Sequence, residues 1–366
     1  MKKYILIPYA NLNIGGVPTK IIDIVNVLET THPDITIRIL LQKGHHDDQR
    51  VRIQNPRACV IDFWFPLPFG RKPAYILWLW CNIFLFRPTA VLAFLSPYAL
   101  PILLAKKIFF WLPFRVVVSE DHYTRTMLKR MVAPKLQQVA IRLLYPYADA
   151  VIIPTRAIEQ QLRLLCRLPA DKTRVIYNWT TLADTPLSKT KRIWDIIHIG
   201  RLVQSKNPYR IVSLMSQYVK AHPNTSCAIV GEGEEAPRIK RFINQHRLGK
   251  HIILYPATSD VSMYLRQAKI FVFLPEAQTE GFPMVLLEAM ACGAVVVTEQ
   301  FNGVKEILTD GQSGFVVPTS TVTPSFIYRA VKNYGDIQKY ARAFVKKNCS
   351  PQNIRQYISA LDTTYT

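Results

Sequence analysis

Short apolar runs of strand length alternate with longer segments of helical periodicity, and the series runs through the chain twice. In the first half, residues 2–8, 35–41, 58–69, 90–95, 116–119, 148–153 and 175–178 read as strands. Residues 2–8 alternate too little for a strand with one wet face and read as buried. Between these runs, residues 18–28, 75–86, 98–110 and 124–145 carry helical patterns. In the last of them Met127, Met131, Leu136, Ile141 and Leu144 form a broken stripe expected to face the core. The second half repeats the scheme, with strands at residues 196–200, 227–231, 252–255, 271–274, 294–298 and 314–317. A helix is expected to start near Pro208, residues 303–306 form a loop, and residues 324–366 are mostly helical. The reading is an α/β chain of two domains, each long enough for its own core, joined by the polar, poorly patterned residues 180–192.

One segment is ambiguous. Residues 75–86, YILWLWCNIFLF, are the most hydrophobic in the protein, yet they fall short of the roughly 20 apolar residues a membrane span needs. They suit a helix packed on a sheet, or one whose outer face dips into a bilayer beside Arg71, Lys72 and Arg87. The apolar run at residues 4–9 reads as a first strand and not as a secretory leader.

Composition changes this picture only in its electrostatics. Hydrophobic residues make up 49% and charged residues 19%, as in a globular protein that leans apolar. The six cysteines show no metal-type spacing and suit a reducing compartment better than a disulfide framework. Net charge is +21, and the excess before residue 180 (+13) is larger than that after it (+8). Such a field suits nucleic acid, anionic lipid or a phosphorylated substrate. No nucleic-acid-binding motif accompanies it, so a nucleic-acid partner is not expected.

The candidate chemistry lies at residues 271–298, FVFLPEAQTEGFPMVLLEAMACGAVVVT, which read as strand, loop, helix, turn and strand. Pro283 is placed at the first position of the helix, where its missing N–H is harmless. The loop follows the carboxyl end of a strand, where open parallel sheets bind ligands, and it holds Glu280. Gly281 lets a ligand approach the backbone, and the free N–H groups near Gly281, Phe282 and Met284 favour an anion or a ring of hydroxyls. Eight residues of helix span about 12 Å. Glu280 and Glu288 therefore read as gripping different parts of one long ligand, not as a glycosidase acid/base pair about 5–9.5 Å apart.

The run EGFPMVLLEAMACG resembles the glutamate–seven residues–glutamate signature of the retaining GT-B glycosyltransferases of family 4. The similarity continues through IGRLVQSKN and GVKEILTDGQSGFVV, dense in the C-terminal half and loose in the N-terminal half. The resemblance implies two Rossmann-like domains facing across a cleft, with boundaries at 1–180 and 181–345. Residues 346–366 would form a helix returning to the first domain. It implies transfer of a sugar from a nucleotide-diphosphate sugar to a saccharide or lipid-linked acceptor, with retention, in cell-envelope polysaccharide or glycolipid synthesis. Arg201 and Lys206 would hold the diphosphate, Glu288 the ribose, and Glu280 with Gly281, Phe282 and Pro283 the donor sugar. Gly16 would belong to a glycine turn on the donor side, with Glu120 and His122 on the acceptor side and His122 catalytic beside Glu280. The family commonly has proline after the asparagine of residues 175–178, where Trp179 stands here. No cofactor or metal is expected. The expected location is cytoplasmic, peripheral on the inner face of a membrane with an anionic surface. A competing reading is a non-catalytic binding protein of the same fold.

Overall fold

The computed structural model describes residues 3–42, 49–63, 71–121, 133–187, 190–276, 279–318 and 323–361. The chain divides into two units, Met1–Ile176 with Gln352–Thr366, and Tyr177–Pro351.

In the first unit the apolar runs pair as a parallel sheet of order β3-β2-β1-β4-β5-β6-β7. The strands are β1 (Lys3–Tyr9), β2 (Ile35–Leu41), β3 (Ala58–Asp62), β4 (Ala90–Phe94), β5 (Arg115–Ser119), β6 (Ala150–Ile153) and β7 (Thr173–Val175). Period-two alternation sends Val116 and Val118 into a core shared with helices Arg71–Phe86, Ser96–Ile108, Pro134–Leu144 and Arg156–Cys166. The opposite face carries helices Gly16–Thr31 and Gln352–Leu361, which pack on each other and, in the second case, on β5.

A buried polar knot joins that second layer to the sheet. Lys20, 1% exposed, donates to Asp121 Oδ1 at 2.5 Å and to the Tyr357 hydroxyl at 2.8 Å. Ser119 Oγ lies 3.2 Å from both Asp121 Oδ2 and the Tyr357 hydroxyl. Burial works against the Lys20 ammonium, but the charge of Asp121 and the Tyr357 hydroxyl outweigh it and raise its pKa.

The second unit is a parallel sheet of order β10-β9-β8-β11-β12-β13. Its strands are β8 (Trp194–Ile199), β9 (Cys227–Val230), β10 (Ile252–Tyr255), β11 (Ala268–Phe273), β12 (Val295–Glu299) and β13 (Phe315–Val317). Helix Met284–Ala291 crosses from β11 to β12, burying Leu286, Leu287 and Met290 on one side of the sheet. The parallel α/β reading holds for both units.

Several local expectations are corrected. Residues 177–187 are not a free linker: Trp179 is fully buried, Ala183 joins the second core, and the Thr180 N–H bonds the Cys349 carbonyl at 2.9 Å. The large apolar ring accounts for this, since it has to be covered. The strand expected at 175–178 ends at Val175, and Tyr177 and Asn178 belong to the second unit. Residues 303–306 enter a helical turn, Val304–Ile307, started by Gly303 in the left-handed region (φ 84°). Leu136 is 70% exposed and not in the core. Five residues of helix turn through about 500°, so Leu136 stands about 140° away from Ile141, which is fully buried. Met127 and Met131 lie outside the described residues.

The polar knot sets a stability prediction. Replacing Lys20 with Met leaves Asp121 charged and nearly enclosed, and is expected to lower unfolding stability by about 3–5 kcal/mol. Adding Asp121→Asn to that variant should recover part of the loss. Denaturant unfolding followed by far-UV circular dichroism measures both, and a Lys20→Met variant as stable as wild type would contradict the ion pair's role.

Candidate active site

Strand order locates the second unit's ligand crevice. From β8 the connection runs outward to β9, whereas β11 lies on its other side, so the order reverses between β8 and β11. Ligands of open parallel sheets bind at the carboxyl ends of such a strand pair. The β8 end continues into Gly200, Arg201 and Lys206; the β11 end continues into the loop that holds Glu280. The Glu276 N–H bonds the Ser205 carbonyl at 3.0 Å, which joins the two loops. At their junction Lys206 Nζ donates to Glu280 Oε1 at 2.5 Å and lies 5.1 Å from the centre of the Phe273 ring. Glu280 is 8% exposed. A turn at Gln204–Lys206, closed by Asn207 in the left-handed region (φ 48°), aims the lysine back at the crevice. Asparagine is among the few side chains that tolerate this conformation.

Gly281, Phe282 and Pro283 follow, all buried, and Met284 opens the helix. Pro283 is extended (φ −66°, ψ 121°) and precedes the first helical residue, one position earlier than expected. The orphan N–H groups of this first turn and the Lys206 ammonium together favour an anion. Glu288 lies half-buried on the same helix.

Two glycines shape the other wall, and the segment GEGEE is their signal in the sequence. Gly231 and Gly233 hold φ of 154° and 152°, and a Cβ on either would collide with the carbonyl of Gly200 or of Leu202. This close approach lets Gly200 N–H bond Val230 O at 3.1 Å and Leu202 N–H bond Glu232 O at 2.7 Å. Leu202 is thereby fully buried, while its neighbour Arg201 stays exposed.

His198 stands in β8, two residues before Gly200. It is fully buried, and Nδ1 lies 3.0 Å from the Val272 carbonyl, joining β8 to β11. Burial lowers its pKa to about 4, so at neutral pH Nδ1–H donates and Nε2 is an acceptor. Nothing in its spacing distinguishes it from a core residue.

In the first unit the strand order reverses between β1 and β4. Gly15 precedes the helix that follows β1 and Gly16 is its first residue, so Gly16 stands at that crevice. Glu120 follows β5 but points inward: it is fully buried and accepts from the Tyr145 hydroxyl at 2.5 Å. Strand-like alternation persists past β5, sending Ser119 and Asp121 to Lys20 and Tyr357, and Glu120 to the opposite core. Burial pushes the Glu120 carboxyl up to about 8. His122 lies outside the described residues. The structure thus joins Lys206 to Glu280 directly, with Gly281, Phe282 and Pro283 next along the chain and Glu288 farther on, within the helix.

The family model described as Glycosyltransferase Family 4 matches residues 14–183, and that described as Glycosyl transferases group 1 matches residues 183–348. A Campylobacter jejuni relative is the N-acetylgalactosamine-N,N'-diacetylbacillosaminyl-diphospho-undecaprenol 4-alpha-N-acetylgalactosaminyltransferase. It is 24% identical over 64% of each chain. The chain spans between 28% and 64% of the length of the first curated relatives it matches. Among solved structures, the sucrose-phosphate synthase of Thermosynechococcus elongatus superposes with a TM-score of 0.80 at 16% identity, covering 98% of both chains. The Anabaena protein HepE in complex with UDP-glucose superposes at 0.78 with 17% identity, over 97% of this chain and 98% of its own.

Glu120 sets a pH dependence. Its carboxyl binds a proton in the folded state up to about pH 8, whereas unfolding returns it to an ordinary carboxyl. Between those limits the folded state holds more protons, so this group's contribution to stability is full at acid pH and is lost as pH rises towards 8. Glu120→Gln should therefore gain stability relative to wild type between pH 6 and pH 9. Parallel denaturant titrations at the two pH values read the difference, and an unchanged gap would mean Glu120 is ionised throughout.

Proposed function

We propose that this chain, which belongs to the GT-B glycosyltransferases of group 1, transfers a sugar from a nucleotide-diphosphate sugar to a saccharide or lipid-linked acceptor, with retention of configuration. The observation that carries the reading is the 2.5 Å contact of Lys206 with Glu280 between the carboxyl ends of β8 and β11. The helix that begins at Met284 adds its free N–H groups to that crevice. Charge develops on the nucleoside diphosphate as it leaves, and preorganised cations stabilise it most where they are already held in place. Lys206 and the exposed Arg201 are assigned the diphosphate, Glu288 the ribose hydroxyls, and Glu280 with the backbone of Gly281–Pro283 the donor sugar. Gly16 is assigned to the donor side, and His122 to the acceptor side with a catalytic role. No metal or cofactor is assigned a step. HepE holds UDP-glucose, which favours a uridine nucleotide as the first donor to try. The Campylobacter relative's acceptor, a diphospho-undecaprenol saccharide, favours a lipid-linked acceptor in envelope synthesis.

A lipid-linked acceptor also requires access to a bilayer. Among the described residues no helix is long and apolar enough to cross a membrane. Helices Arg71–Phe86, Ser96–Ile108 and Pro134–Leu144 share one face of the first sheet; they expose Leu77, Leu85, Leu136 and Leu143, and the turn after Ile108 exposes Phe110 and Trp111. From residue 63 to residue 148 the only acidic side chains are Glu120 and Asp121, both buried. Lys107, Lys135 and Arg142 are exposed. Apolar side chains among cations, with no exposed acid, suit peripheral attachment to an anionic cytoplasmic leaflet.

Three measurements test these readings. Lys206→Ala or Arg201→Ala should cut kcat for turnover of the nucleotide sugar about 10²–10³-fold; the exposed Arg201 can be lost with thermal stability kept, whereas Lys206→Ala strands Glu280 and should lower Tm as well. Glu288→Gln should weaken donor binding more than it lowers Tm. Turnover at wild-type rates in both cation variants would remove them from the site, and binding without any hydrolysis or transfer would favour the non-catalytic alternative. For the membrane face, wild type should co-sediment with phosphatidylglycerol vesicles at low salt, while paired Phe110→Ser and Trp111→Ser changes should abolish the salt-resistant fraction. Equal partition to neutral and anionic vesicles would refute the electrostatic part.

A further inference from the structure

The segment that opens the second unit is bonded to the loop assigned to the donor. Ile176 ends the first stretch of the first unit and Tyr177 begins the second. The Tyr177 ring stacks on Phe282, with centroids 5.3 Å apart and planes at 28°, and its hydroxyl donates to Glu306 Oε2 at 3.3 Å. Asn178, 4% exposed, donates from Nδ2 to the Phe282 carbonyl at 2.7 Å. Two residues later Thr180 N–H bonds the carbonyl of Cys349, just before the chain leaves this unit at Pro351. Both crossing points of the chain are therefore tied together, and one of them grips the backbone and ring of Phe282.

The chemistry of that grip is specific. Pro283 has no N–H, so the peptide joining it to Phe282 offers one acceptor and no donor. Its orientation sets where Gly281 and Glu280 lie, and the buried Asn178 amide is a donor well placed to fix it. An acidic side chain of the same shape would oppose acceptor with acceptor. Tyr177 adds the second loop, because Glu306 lies in the turn that Gly303 starts.

We infer that Tyr177 and Asn178 are positioning residues of the donor site. They hold residues 280–283 and Glu306 in the arrangement that the nucleotide sugar meets. This rests on the donor assignment proposed above.

The test uses the full chain and three variants: Asn178→Asp, which is isosteric but cannot donate; Tyr177→Phe, which keeps the ring and loses the hydroxyl; and Tyr177→Leu, which loses the stacking. Amide hydrogen exchange is measured without ligand, and binding of UDP, GDP and ADP is measured by calorimetry. Asn178→Asp and Tyr177→Leu should speed exchange of the amides at 281, 282 and 284–286 at least tenfold. They should also weaken the nucleotide that wild type binds by about tenfold, and raise KM for donor hydrolysis more than they change kcat. Tyr177→Phe, the mildest change, should speed exchange only at 304–307. Exchange at wild-type rates in all three overturns the inference. So does faster exchange with unchanged affinity and KM, since the contacts would then be structural only. If wild type binds none of the three nucleotides, the donor reading itself fails and takes the inference with it. Normal wild-type binding with undisturbed variants sinks the inference alone.

Discussion

An ammonium and a carboxylate 2.5 Å apart, at the ends of two neighbouring parallel strands, are what the second unit is built to hold. Each side chain is mostly covered, with 16% of Lys206 and 10% of Glu280 exposed. Taking either away would strand the other charge where water reaches it poorly. The loops around them serve that geometry: Asn207 turns Lys206 back, Ser205 accepts from the Glu276 N–H, and Phe273 lies beneath the lysine head. A cation fixed before a ligand arrives loses little freedom on meeting it, which is the condition for strong electrostatic stabilisation of a leaving anion.

The first unit uses buried charge differently. Lys20, Asp121, Ser119 and Tyr357 form a buried hydrogen-bonded group. It draws together three elements far apart in sequence: the helix after Gly15, the end of β5 and the last described helix. Glu120, between Ser119 and Asp121, faces the other way and meets Tyr145 in an apolar core. Two adjacent carboxyls thus have opposite circumstances. One is paired with an ammonium; the other is driven by burial towards its neutral form.

On the outside of the first unit, the helical layer departs from ordinary surface chemistry. A helix such as Arg71–Phe86 has no charged residue after Lys72, so its outward positions are apolar by default. Leu77 is 55% exposed and Leu85 71%. Both readings of this segment therefore apply to different side chains: Tyr75, Leu79 and Ile83 are core, and their neighbours on the outer face are not.

Strand positions were legible in the sequence because parallel strands buried on both faces are continuous apolar runs, as in Ala90–Phe94, buried at every position. Glu280, Gly281 and Glu288 were legible as a group because one short strand–loop–helix unit carries them, so local spacing fixes their neighbourhood. Lys206 lies 74 residues before its partner, and only the adjacency of β8 and β11 brings it to Glu280. The same holds for His198, for the glycines of GEGEE against the β8 loop, and for Tyr177 and Asn178 against Phe282. Hydrophobic pattern is a property of neighbours along the chain, and it determined the elements and the local half of the site. Which charge faces which, and which of two adjacent carboxyls is buried without an ion-pair partner, depends on strand order and pleat, and those were decided only when the sheets formed.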